Sequence, residues 1–200
     1  MRFGKTWLKG SKETEKLKIL FQFSIMLIAS VIGGICFTAL LSDTATQRLS
    51  QKALLSISED IGTTLLIGKI WSISAIELIC IAVLFVFSFS LVNYTVSDIA
   101  LVFLGFKWGM SAAVVKLTGF ESFGMGNSLS FWILRGAILF VIFFFACKMA
   151  FFSLDIRTSS LNGRGQINSK KLVSLILFAL SVAIAIWLLN GIYCFVIYIL

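Results

Sequence analysis

The chain has 200 residues, of which 59% are hydrophobic, and a mean hydropathy of +1.02. That level excludes an ordinary soluble domain, where lone charges interrupt apolar runs long before about 20 residues, the length a helix needs to cross a bilayer core. The net charge of +8 does not point to nucleic acid, because the basic residues flank apolar segments, as they do where they orient membrane spans.

In chain order, the tail Met1–Lys18 sets Phe3, Trp7 and Leu8 among lysines. This suits a short helix on an anionic leaflet, acting as a lipid anchor and orientation signal or as a docking arm for a partner. The first span is expected over about 19–41, too long for the apolar core of a signal peptide. The segment 43–69 follows. Its Leu49, Ala53, Ile57 and Ile61 recur every fourth residue, which predicts an amphipathic helix on the outer interface that caps the bundle or meets an extracytoplasmic partner. Spans two and three are expected over 70–92 and 99–117, joined in a tight hairpin by the polar break Asn93–Asp98. Span four is expected over 129–154, with its phenylalanines (Phe140, Phe143, Phe144, Phe145, Phe151, Phe152) facing lipid and neighbouring helices. The loop 155–171 has Ser-Ser, Asn-Gly and Arg-Gly pairs and reads as a flexible connection. Its Gly163-Arg164-Gly165 does not match a phosphate-binding loop. Span five is expected over 172–200 as one helix with a weak point at Asn190-Gly191. The whole is an all-α, polytopic transmembrane bundle, one integral membrane domain over residues 1–200.

Arg2, Lys5, Lys9, Lys12, Lys16 and Lys18 precede span one, and Arg157, Arg164, Lys170 and Lys171 lie between spans four and five. Five crossings put both groups on one side. The positive-inside rule then predicts a cytoplasmic N-terminus and an extracytoplasmic C-terminus.

Ionisable residues inside spans are costly and therefore informative. Glu77 and Arg135 both fall about 10 Å below the expected outer boundary, at 1.5 Å per residue. Their matched depth predicts an ion pair joining spans two and four, as a structural clasp or as part of a substrate or proton path. Lys107 lies near the middle of span three and is expected to face the bundle interior. Lys116 and Lys148, nearer span ends, are expected to snorkel. Asp155 is expected to close span four beside Arg157. Gly105-x-x-x-Gly109, and Gly33 and Gly34 with Ala29 and Ser30 four residues earlier, match the small-residue spacing that lets helices approach closely, within one chain or between copies.

Histidine is absent, which removes the commonest ionisable catalyst and transition-metal ligand. Cys36, Cys80, Cys147 and Cys194 lie singly in apolar runs and read as small hydrophobes. No nucleophile has a base at recognisable spacing, so neither an enzyme nor a cofactor is expected. The absence of proline weighs against a transporter built on broken helices. A small transporter or transporter subunit using Glu77, Lys107 and Arg135 stays open as a function, and a lipid-modifying enzyme is least expected for want of an acid–base pair.

The order of features resembles the stage II sporulation protein M family of bacterial membrane proteins. A basic tail leads into a span with paired glycines, here Gly33-Gly34. A Ser- and Leu-rich outer segment follows, from Leu49-Ser50 through Ser58-Glu59-Asp60. A close hairpin carries a G-F-x-x-G stretch, here Gly105-Phe106-Lys107-Trp108-Gly109, and a span ends near Phe152-Ser153-Leu154. The chain departs from that pattern in lacking prolines in the hairpin and a Pro-Gln-Asn-like element before span four, where it has Ser128-Leu129-Ser130-Phe131. The resemblance implies a non-catalytic membrane scaffold that localises peptidoglycan-cleaving partners, an amidase and a lytic transglycosylase, during engulfment in sporulation.

Overall fold

The computed structural model describes residues 3–41, 45, 63–90, 92–117, 131–161 and 169–199. Among them there are five long helices and no strand: α1 Phe3–Leu40, α2 Thr63–Phe87, α3 Asn93–Leu117, α4 Gly136–Leu161 and α5 Ser169–Ile199, with one turn of π-helix, Phe131–Arg135, leading into α4. All five contain a stretch long and apolar enough to cross a membrane. The chain is thus a multi-pass helical membrane protein. Lipid offers no hydrogen bonds, so each segment satisfies its backbone within its own helix.

α4 is the central helix. It touches the other four, while α1 lies along α3 and α2 lies along α5. Ile138, Ile142, Phe145, Ala146, Met149, Ala150 and Leu154 of α4 are accordingly buried around more than one face. The outer helices bury a single stripe: Ile19, Phe23, Ser30 and Thr38 on α1; Ile70, Ser74, Glu77, Ile81 and Leu84 on α2; Leu175, Val182, Ile186, Asn190 and Cys194 on α5. These steps of three, four, seven or eight residues return to the same side of a helix. The remaining sides expose Phe21, Ile28, Trp71, Ile79, Phe140, Phe144, Leu177 and Ile184 to the lipid.

The α1–α3 pair is built on glycine. A Cβ added at Gly34 would fall on the Phe106 carbonyl oxygen, one at Gly105 on Ser30 Oγ, and one at Gly109 on the Val31 carbonyl oxygen. The two backbones therefore meet directly. Gly33 is different, since a Cβ there would meet only the Phe106 ring at 3.9 Å. Helices immersed in lipid gain little from hiding apolar surface from water, and such close packing takes over as the source of association.

Several boundaries differ from the sequence expectation. The basic tail is no separate interfacial helix, because from Phe3 it continues unbroken into α1. That 38-residue helix would be about 57 Å long if straight. Asn93–Asp98 is not the hairpin break but the opening of α3. The chain turns earlier, at Ser88–Ser90, where Ser90 N–H bonds the Phe87 carbonyl at 2.9 Å and the Ser88 hydroxyl bonds the Phe85 carbonyl at 2.6 Å. Serine hydroxyls compete for backbone carbonyls in this way and end helices that hydropathy alone would extend. α4 runs past Leu154 to Leu161. α5 passes through Asn190-Gly191 without a break. Phe145 is fully buried while Phe140 and Phe144 face out, so the phenylalanines of span four divide between core and lipid. Cys147 and Cys194 are buried and Cys36 is exposed. The segment 43–69 lies outside the described residues except for Ala45 and Thr63–Lys69, the latter belonging to α2. Leu129, the Gly163-Arg164-Gly165 stretch and the Lys116 side chain also lie outside them.

Candidate functional site

The two sequence elements that carry buried charge, spans two and four, meet in the structure. Glu77 sits on the inward stripe of α2, three residues after Ser74 and four before Ile81, with its side chain only 7% exposed. Arg135 is the last residue of the π-helical turn. A wide turn of this kind adds a residue to the helical repeat and redirects the side chain that follows, and such turns are frequent at functional sites. Here Arg135 Nη1 lies 3.4 Å from Glu77 Oε1. The expected pairing of spans two and four is therefore present.

Two further partners join it. Lys107 Nζ lies 3.7 Å from the same Glu77 oxygen, so one carboxylate faces two cations from α3 and from the turn before α4. Arg135 Nη1 also donates to Asn190 Oδ1 of α5 at 2.8 Å, the shortest bond in the cluster. The guanidinium lies over the Tyr193 ring, 4.6 Å from its centroid, within the range of a cation–π contact. Four elements converge on this point. Glu77, Lys107 and Arg135 are brought together as their sequence positions suggested. Lys107 does not face a sealed interior, because its side chain is 41% exposed against 17% for Arg135.

Asn190 and Tyr193 were not singled out by sequence reasoning as site residues. The missed signal was Asn190 itself, an uncharged amide deep in an apolar run, which on sequence alone suggests a weak point in the helix. A buried amide is instead retained where it has partners, and Asn190 is fully buried. Trp108, next to Lys107, meets Trp132 edge-on at a centroid distance of 5.3 Å. Among the described residues, three polar atoms at the cluster are buried and make no hydrogen bond: Glu77 Oε2, Asn190 Nδ2 and Trp108 Nε1.

A second polar group marks the opposite end of the bundle. Lys12 of α1 pairs with Asp155 of α4 at 2.5 Å, so Asp155 binds the extended first helix where the sequence suggested only a neighbouring Arg157. Arg157 lies over the Tyr94 ring at 4.7 Å, and Gln22 donates to Asp98 at 2.5 Å. These contacts tie α1, α3 and α4 at the end where α1 begins. Lys148 is exposed on α4 and lies 5.8 Å from the Phe178 ring centroid.

The four glycines divide. Gly34, Gly105 and Gly109 form the α1–α3 seam, so their small-residue spacing serves packing within the chain, whereas Gly33 stands aside from it. Among the described residues, no cluster of histidine, cysteine and carboxylate side chains is grouped to hold a metal ion. Comparison with protein-family models, curated proteins and solved structures finds no match to this chain.

Proposed function

We propose that the protein is a non-catalytic membrane scaffold, with a cytoplasmic N-terminus, that holds extracytoplasmic partners at the bacterial inner membrane. The observation that carries this reading is the use made of the strongest polar groups in the spans. Glu77 is buried against the partly buried Arg135, and Arg135 is bonded to Asn190, so these groups tie helices together. A buried pair of this kind favours one arrangement of the bundle, as a platform for partners requires. By the resemblance to the stage II sporulation protein M family, the partners are cell-wall hydrolases, an amidase and a lytic transglycosylase, assembled during sporulation engulfment.

The test is recovery of the tagged protein from native membranes in mild detergent, with mass spectrometry of the proteins that accompany it. Stoichiometric cell-wall hydrolases support the scaffold and direct attention to the outer segment 43–69 as the contact. An ATPase or permease subunit, or no protein at all, rejects it.

A second reading, a small transporter or a membrane subunit of a transport system, has one observation in its favour: Lys107 reaches the buried Glu77 while two-fifths exposed itself. A flux assay comparing Lys107→Gln with the unaltered protein tests that alternative.

A further inference from the structure

The charge cluster is unbalanced. Among the described residues, Lys107 and Arg135 share one carboxylate, Glu77, and make no ion pair with any other. One positive charge is left over within the span region, where an uncompensated charge is expensive. The unused hydrogen-bonding capacity leans the same way. Asn190 Nδ2 and Trp108 Nε1 are buried donors without acceptors, and Lys107 Nζ holds Glu77 only at 3.7 Å, beyond hydrogen-bond reach. Among the described residues of the cluster, Glu77 Oε2 is the one buried acceptor left over. A surplus of donors and of positive charge repels an inorganic cation and suits an oxyanion.

The surroundings indicate where that anion comes from. Lys107 is open on one side. Trp132 is exposed, lies three residues before Arg135 and packs edge-on against Trp108. Tyr193 lies under the guanidinium. Tryptophan and tyrosine gather at the level of lipid headgroups, where an apolar ring and a polar N–H or O–H are both satisfied. Trp132 is the first residue of its candidate span, so the open side of the cluster, beside the start of the π-helical turn, faces the headgroup end of the spans.

We propose that Lys107 and Arg135 form a binding site for a phosphate-type oxyanion that enters from the bilayer side, carried on the headgroup of an anionic lipid. Lys107 makes the direct contact and Arg135, held by Glu77 and Asn190, supplies the fixed second charge. This goes beyond the scaffold reading and does not depend on it, since the pull-down can succeed or fail whatever the cluster binds.

The experiment is thermal unfolding of the purified, delipidated full-length protein in neutral detergent. Phosphatidylglycerol, phosphatidylcholine or inorganic phosphate is titrated at matched ionic strength. Phosphatidylglycerol is expected to raise the Tm and phosphatidylcholine to leave it unchanged. Lys107→Gln should weaken the phosphatidylglycerol response about tenfold, the loss expected for one charge-assisted contact. Lys107→Arg should preserve the response, and Lys16→Gln, at the other end of the bundle, should not alter it. If inorganic phosphate gives the same Lys107-dependent response, the oxyanion site stands and its ligand is free in solution. The proposal is overturned if neither ligand stabilises the protein, or if Lys107→Gln responds as the unaltered protein does. Should Lys107→Gln fail to fold, native mass spectrometry of the unaltered protein and Lys107→Arg decides: retained anionic lipid on both supports the site, and none on either overturns it.

Discussion

Glu77 is the residue on which the cluster turns, because it is the single anion between two cations. Removing one member of a buried pair leaves a charge with no counterpart and costs about 3 kcal/mol or more, whereas removing both costs less. Glu77→Gln is therefore expected to lower the melting temperature in detergent more than the double variant Glu77→Gln/Arg135→Gln does. Arg135→Gln alone should be the milder single change, since Lys107 still faces Glu77. Thermal unfolding of the three variants checks the order, and a double variant no better than Glu77→Gln rejects the pairing. The cluster's charged members were legible in the sequence because charge within an apolar run is conspicuous. Asn190 and Tyr193 were not, because an amide or a phenol in a span has many ordinary explanations and only its neighbours choose among them.

At the level of the helix, the α1–α3 seam makes a sharp contrast between adjacent glycines. Gly34→Ala drives a methyl group into the Phe106 carbonyl, and neither backbone can yield without parting the helices. Overpacking of this kind costs about 1–3 kcal/mol. Gly33→Ala meets only an aromatic ring at van der Waals distance. Alanine also favours the helix over glycine by about 1 kcal/mol. The expected result is a lowered melting temperature for Gly34→Ala and an unchanged or raised one for Gly33→Ala, measured by thermal unfolding in the same detergent. The G-x-x-x-G spacing on α3 was readable from the sequence. Which of the paired glycines on α1 faces it was not, because Gly33 and Gly34 differ by only about 100° around the helix.

For the whole molecule, the five helices form a bundle in which α4, late in the chain, lies at the centre. An odd number of crossings puts the termini on opposite faces of the membrane. If the lysine-rich tail is inside, as the positive-inside rule expects, a reporter that is active only in the cytoplasm should work when fused to the N-terminus and fail at the C-terminus, and one active only outside should do the reverse. Both reporters working at the same terminus, or on the same side at both termini, would reject the arrangement. The contact of Lys12 with Asp155 brings two of the basic segments that underlie this orientation to one end of the bundle. Such a half-exposed pair contributes under about 1 kcal/mol, so its interest lies in position.

The sequence by itself determined the number of helices, their approximate extent and the presence of charges within them. Each follows from local composition, because a helix in lipid must satisfy its own backbone and needs only sufficient length and hydropathy. The same property hid the inward faces. Apolar residues surround α2, α4 and α5 almost evenly, so hydrophobic periodicity does not distinguish core from lipid. Small and polar residues such as Gly34, Ser74, Glu77 and Asn190 mark the inward stripe instead. Only the tertiary structure decided that α4 is central, that the tail extends α1 and that Asn190 completes the cluster. Those outcomes depend on how helices distant in sequence pack side by side, and short-range composition does not encode that.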